Sequence, residues 1–148
     1  MAHRSTLRGF IWAALALQLA GLMFDILWHA THSGFAPMTR MEMSQHLGSV
    51  HLPIYIGVLC VVLTTALALL TQRDERGLAM PIAFVGALIS AAGEGWHAYT
   101  HLQMSTHGGP LAASVSFLGF LVVVAALWLS RPRARGRAAG DIDQRRAA

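Results

Sequence analysis

Two short stretches of this chain set a carboxylate and two imidazoles at helical spacing. They are Asp25, His29 and His32 in the first, and Glu94, His97 and His101 in the second. At 100° per residue each trio falls within about 60° on a helical wheel, so each helix offers one stripe of oxygen and nitrogen donors. Imidazole with carboxylate is ligand chemistry for copper, zinc, iron, manganese or nickel. Glu94-x-x-His97 also has the i, i+3 spacing used by di-metal carboxylate bundles, from which Asp25-x-x-x-His29 departs by one residue. His46, His51 and His107 lie in the same part of the chain's topology, so that only His3 of the eight histidines falls elsewhere. The nine residues Asp25, His29, His32, His46, His51, Glu94, His97, His101 and His107 are the candidate metal ligands.

The two stretches read as one phrase: an acid, then Trp-His-Ala, then Thr-His. That predicts an internal duplication in which a first helix pair matches a second. Met38, Met41, Met43 and Met104 sit in or beside the same connections. Thioethers are soft donors that favour Cu(I), which sets copper ahead of zinc and iron, although methionine also packs well.

The elements that must carry these residues are apolar. The chain has 148 residues, 55% hydrophobic and only 12% charged, with a mean hydropathy of +0.51. Four runs almost free of charge, near 9–28, 52–70, 78–96 and 111–129, each approach the roughly 20 residues a helix needs to cross a bilayer. None alternates with a period of two, and backbone satisfaction in lipid then leaves helices. The expected fold is all-α, an integral membrane four-helix bundle over 1–130 with spans near 9–31, 40–71, 78–101 and 109–130. A basic, disordered cytoplasmic tail follows over 131–148. The first helix is expected to be retained, because Gln18-Leu19-Ala20 makes a poor cleavage site.

Within these spans Thr39 to Glu42 has the pattern of a capping box. The second helix is therefore expected to start near Arg40 outside the membrane and to be kinked by Pro53. Gly86, Ser90 and Gly93 are small enough for close helix contact.

All eleven basic residues are arginine, which excludes a lysine Schiff base or nucleophile, and six of them lie in the last eighteen residues. Beside a membrane such a tail is an orientation signal and a contact for anionic lipid, not a nucleic-acid arm. Arg4, Arg8, Arg73, Arg76 and the tail place both termini in the cytoplasm, the bacterial inner membrane being the expected location, with the histidines facing outward. Trp12 and Trp128 fall at one predicted interface, and Trp28 and Trp96 at the other. Cys60 is the single cysteine, so no intrachain disulfide forms.

Asp25 and Glu94 are acids at membrane depth with no arginine near them, and a cation is their simplest partner. Four readings stay open at this point. One is a membrane protein holding one or two transition-metal ions, alone, as a homo-oligomer or within a larger membrane complex. Another is a metalloenzyme, either a di-metal oxidase or oxygenase or a zinc hydrolase, acting on a hydrophobic substrate. The others are a b-type haem protein with axial ligands His29 and His97, or His32 and His101, and a metal-free structural or pH-sensing subunit. Over the first helix alone, Asp25-x-x-x-His29 with a later histidine resembles the metal-binding segment in the membrane subunit of copper-dependent methane and ammonia monooxygenases.

Overall fold

The computed structural model describes residues 2–37, 39–71, 77–104 and 110–130, the side chains of residues 2–5 excepted. They form five helices: α1 (Ala2–Thr31), α2 (Arg40–Ser49), α3 (Leu52–Thr71), α4 (Ala79–Leu102) and α5 (Pro110–Leu129). Four stretches, Thr6–Thr31, Leu52–Thr71, Ala79–Leu102 and Pro110–Leu129, are long and apolar enough to cross a membrane. Large apolar side chains such as Met23, Leu59, Leu63 and Leu118 point out of the protein, as lipid-facing surface requires. The basic tail lies outside the described residues.

α2 begins where the sequence predicts. The Thr39 hydroxyl accepts from the Glu42 amide at 3.2 Å, and the Glu42 carboxylate accepts from the Thr39 amide at 3.1 Å, a complete capping box. The expected kink in one long helix over 40–71 is instead a full break. α2 ends at Ser49, Val50 caps it, and α3 restarts at Leu52. Proline explains the interruption. Pro53 has no amide to give the carbonyl of Ser49 and its ring clashes there, whereas the first turn of a new helix tolerates both. His51 is left at the junction between the two helices.

The spans associate as two pairs, α1 with α3 and α4 with α5, joined through α3 and α4. Each pair is closed by small residues. A Cβ built on Gly57 would lie 2.6 Å from the Gln18 backbone, and one on Gly93 would lie 2.3 Å from the Ser116 amide nitrogen. Only glycine allows that backbone approach, and in lipid close packing is what holds helices together.

The interior has two levels. Ile11, Leu15, Val61, Ala68, Ala83, Ala87, Val123 and Leu127 form an apolar core toward the N-terminal end of α1. Above it Gln18 donates to the Ser90 hydroxyl at 2.8 Å, and Ser90 and Ser116 share a hydrogen bond at 3.3 Å. The far end of the core is closed by Arg8, whose guanidinium reaches the Leu127 carbonyl and the Ser130 hydroxyl. A cation there also meets the negative end of the α5 dipole.

A candidate metal centre

Five imidazoles converge above the polar level. His29 arrives from the last turn of α1, His46 from the buried face of α2, His51 from the α2–α3 junction, and His97 and His101 from successive turns of α4. Nine of the ring pairs that these five histidines and Tyr55 form have centroids only 4.7 to 6.5 Å apart. Two overlapping groups have donor atoms that all lie within 4.8 Å of one another: His29, His46 and His51, and His51, His97 and His101. His51 belongs to both.

The spacing of the ring nitrogens carries chemical information. His46 and His51 bring their Nε2 atoms to 3.3 Å, and His97 and His101 bring theirs to 3.2 Å. Two ligands on a tetrahedral ion with bonds of about 2.0–2.1 Å lie about 3.3 Å apart, so each pair already stands at ligand spacing. The same distance fits an N–H···N hydrogen bond between neutral rings. The Nδ1 atoms of His46, His51 and His97 are buried without a hydrogen-bond partner.

Protonation is set by burial. His46 is held down to about 4, first by loss of solvent and then by the neighbouring His29 and His97 rings. His51, wholly buried, is held down to about 3 by the same loss of solvent and then by His101, His97, His46 and His29. Both rings are therefore neutral at pH 7 and keep the lone pair that a metal needs.

Asp25 adjoins this cluster directly. Its Oδ1 lies 3.4 Å from Nε2 of both His29 and His51. Glu94 sits one turn below on α4, nearly buried, where the Ser116 hydroxyl hydrogen-bonds to it. Beneath the histidines Asp25, Glu94, His97, Gln18 and Ser116 line a cavity of about 40 Å³ whose remaining wall is apolar, including Leu22, Ile54 and Phe117. That volume holds roughly two waters.

Not every candidate reaches the cluster. His32 is exposed: its ring stacks on Trp28 at 4.5 Å and its Nδ1 lies 2.9 Å from the Trp28 carbonyl, a local cap for the end of α1. One residue past the helix, it has turned away from the stripe that the wheel predicts. His107 lies outside the described residues, as does Met38. Met43 is fully buried three residues before His46, whereas Met41 is exposed.

Of the two axial pairs expected for a haem, His32 and His101 are not brought together: His32 lies exposed on Trp28, and His101 is buried against His97.

Other contributors were not read from the sequence as part of the site. Trp28 turns inward and packs on His46 at 4.5 Å, and Phe35 does so at 4.7 Å. Tyr55 lies 6.1 Å from His51 with its hydroxyl buried and unpartnered. The signal for Trp28 was its place inside the acid–histidine phrase, which its role as an interface marker obscured.

No protein-family model matches the chain, and no curated protein or solved structure matches it either. Four membrane-length helices and the histidine groups are compatible with a membrane metal-binding protein, and the functional case rests on that geometry.

Proposed function

We propose that this protein holds a transition-metal ion at one face of the membrane, within the cluster formed by His29, His46, His51, His97 and His101. The observation that carries the reading is the convergence of three donor nitrogens in each of two groups, beside an acid with no arginine at its depth. Locking helices together needs only pairs of rings. Two groups of three are what a coordination sphere needs, and a cation offsets the cost of Asp25 in an apolar setting. Copper leads zinc and iron because Met43 is buried on the same face of α2 as His46. The arginine distribution supports a cluster that faces away from the cytoplasm. The two matching acid–histidine stretches support a duplicated helix pair.

A second reading follows from the cavity. A metalloenzyme needs an adjoining space for its substrate, and the space under His97 is lined by two carboxylates and by apolar side chains. Activity on a small or lipid-soluble substrate is consistent with that wall.

The test is elemental analysis with an absorption spectrum on untagged protein purified in detergent without chelator. Stoichiometric metal, lost on Asp25→Ala and retained on His3→Ala, is the expected result. Metal-free protein that cannot be reconstituted with copper, zinc or iron would overturn the reading in favour of a structural or pH-sensing role.

A further inference from the structure

Resting on the metal reading above, we propose that the two three-histidine groups are alternative seats for a single ion, exchanged through His51. The outer seat is His29, His46 and His51, and the inner seat is His51, His97 and His101. The chemistry of one residue makes them exclusive. A neutral imidazole has one lone pair, the other nitrogen carrying the proton, so His51 serves one ion at a time whichever nitrogen it uses. His51 has no exposed surface, and its ring lies within 5.1 to 5.3 Å of His46, His97 and His101. An ion can therefore change seats without leaving this ring.

The two seats face different surroundings. In the outer seat the His29 side chain is 31% exposed, and Asp25 lies 3.4 Å from both His29 and His51. It is the more accessible position, and Asp25 adjoins it through His29 as well as through the shared His51. The inner seat joins His51 to His97 and His101 of α4, and its His97 lines the cavity with Glu94 and Asp25. Entry by the outer seat followed by transfer to the inner one would bring the ion from the aqueous edge to the wall of the cavity. His51 is the positioning element of that transfer, because it sits at the helix break where α2 and α3 meet.

The probe is Cu(II), titrated into the full-length protein in detergent and read by electron paramagnetic resonance with metal analysis after dialysis. Three proteins are compared with the wild type: His29→Gln with His46→Gln, His97→Gln with His101→Gln, and His51→Gln. The expected wild-type stoichiometry is one copper per chain, with a spectrum that is a weighted sum of those of the two double variants. Each double variant still binds one equivalent, at least tenfold more weakly, and His51→Gln weakens binding further than either.

Two coppers in the wild type with dipolar broadening would overturn the exclusivity of the seats, since His51 would then bridge the ions. Loss of all binding in one double variant with full binding in the other would also overturn the proposal, by showing a single seat. If His51→Gln fails to keep its helix content, the two double variants decide alone, because each retains His51. Absence of copper binding in wild-type protein, with no metal found on purification, would instead strike the broader metal reading.

Discussion

In the α1–α3 pair Gly21 and Gly57 admit the backbones of Ile54 and Gln18; in the α4–α5 pair Gly93 and Gly119 admit those of Ser116 and Ser90. Each contact residue precedes the glycine of its own helix by three positions, so both pairs use the same local register. Their outer ends differ. The first pair carries the added α2, which lowers His46 into the site and leaves His51 at its end, while the second contributes His97 and His101 from the α4 spine. Measured from the packing glycines, Asp25 and His29 lie four and eight residues beyond Gly21, and His97 and His101 lie four and eight beyond Gly93. Packing thus equates Asp25 with His97, whereas the repeated phrase equates Asp25 with Glu94. Helix contacts preserve spatial register, and wording in the sequence does not have to follow it.

The comparison breaks most directly at its glycines. Gly93→Leu and Gly119→Leu should separate α4 from α5, because even a Cβ would come within 2.3 Å of backbone nitrogen. Overpacking of this kind costs typically about 1–3 kcal/mol and more for a branched side chain against backbone. Gly57→Leu should do the same to α1 and α3. Unfolding of each variant in mixed detergent measures the loss, and wild-type stability in all three would show that the pairs are not held at these contacts.

The acids sharpen the comparison. Asp25→Asn should lower metal affinity by about 10–100-fold, the range for removing a group that orients metal-bound histidines. Glu94→Gln should lower it less, since Glu94 is bonded to Ser116 and lies a turn below the rings. Competition with a calibrated chelator ranks the two, and the reverse order would favour the register read from the repeated phrase.

Acid should weaken the metal-free fold through the α2 end. His46 and His51 are held to about 4 and 3, below the ordinary histidine value of 6.5, so the unfolded chain binds more protons than the folded one. Stability is full above about 6.5 and falls as pH drops from there toward those folded values. His46→Gln should flatten that profile, which denaturation at pH 7.5, 6 and 5 would show.

Arg8→Ala should cost about 1–2 kcal/mol at the opposite end, from charged hydrogen bonds to the end of α5, and leave metal affinity unchanged. Smallest of all, His32→Ala should alter affinity less than twofold in the same chelator assay. A large effect would mean that His32 leaves Trp28 when metal is bound.

Much of this arrangement was legible in the sequence because its causes are local. Charge-free runs of bilayer length specify the spans, and Thr39 with Glu42 specifies where α2 starts. The wheel brought His29, His97 and His101 to interior stripes, although it carried His32 along with them. The break at Val50–His51 was less legible. Pro53 announces a disturbance, but whether a helix bends or restarts depends on how its neighbours satisfy the freed carbonyls. That His51 belongs to two separate three-histidine groups was not legible, because it depends on how close the glycines let those helices come. Trp28 likewise shows a wet end and an apolar body in any sequence, and only packing reveals which side it turns toward.

The apolar core below Gln18, Ser90 and Ser116 has an electrical consequence. Between Gln18 and Arg8 the α1 spine runs about 15 Å without a charged side chain, at 1.5 Å per residue. A transmembrane voltage, worth about 2.3 kcal/mol per elementary charge for each 100 mV, falls mainly across that dry layer. His29 and His101 lie within two residues of the ends of their spans. An ion bound among the histidines should therefore sense only a minor part of that voltage, and affinities measured in detergent should change little in an energised bilayer.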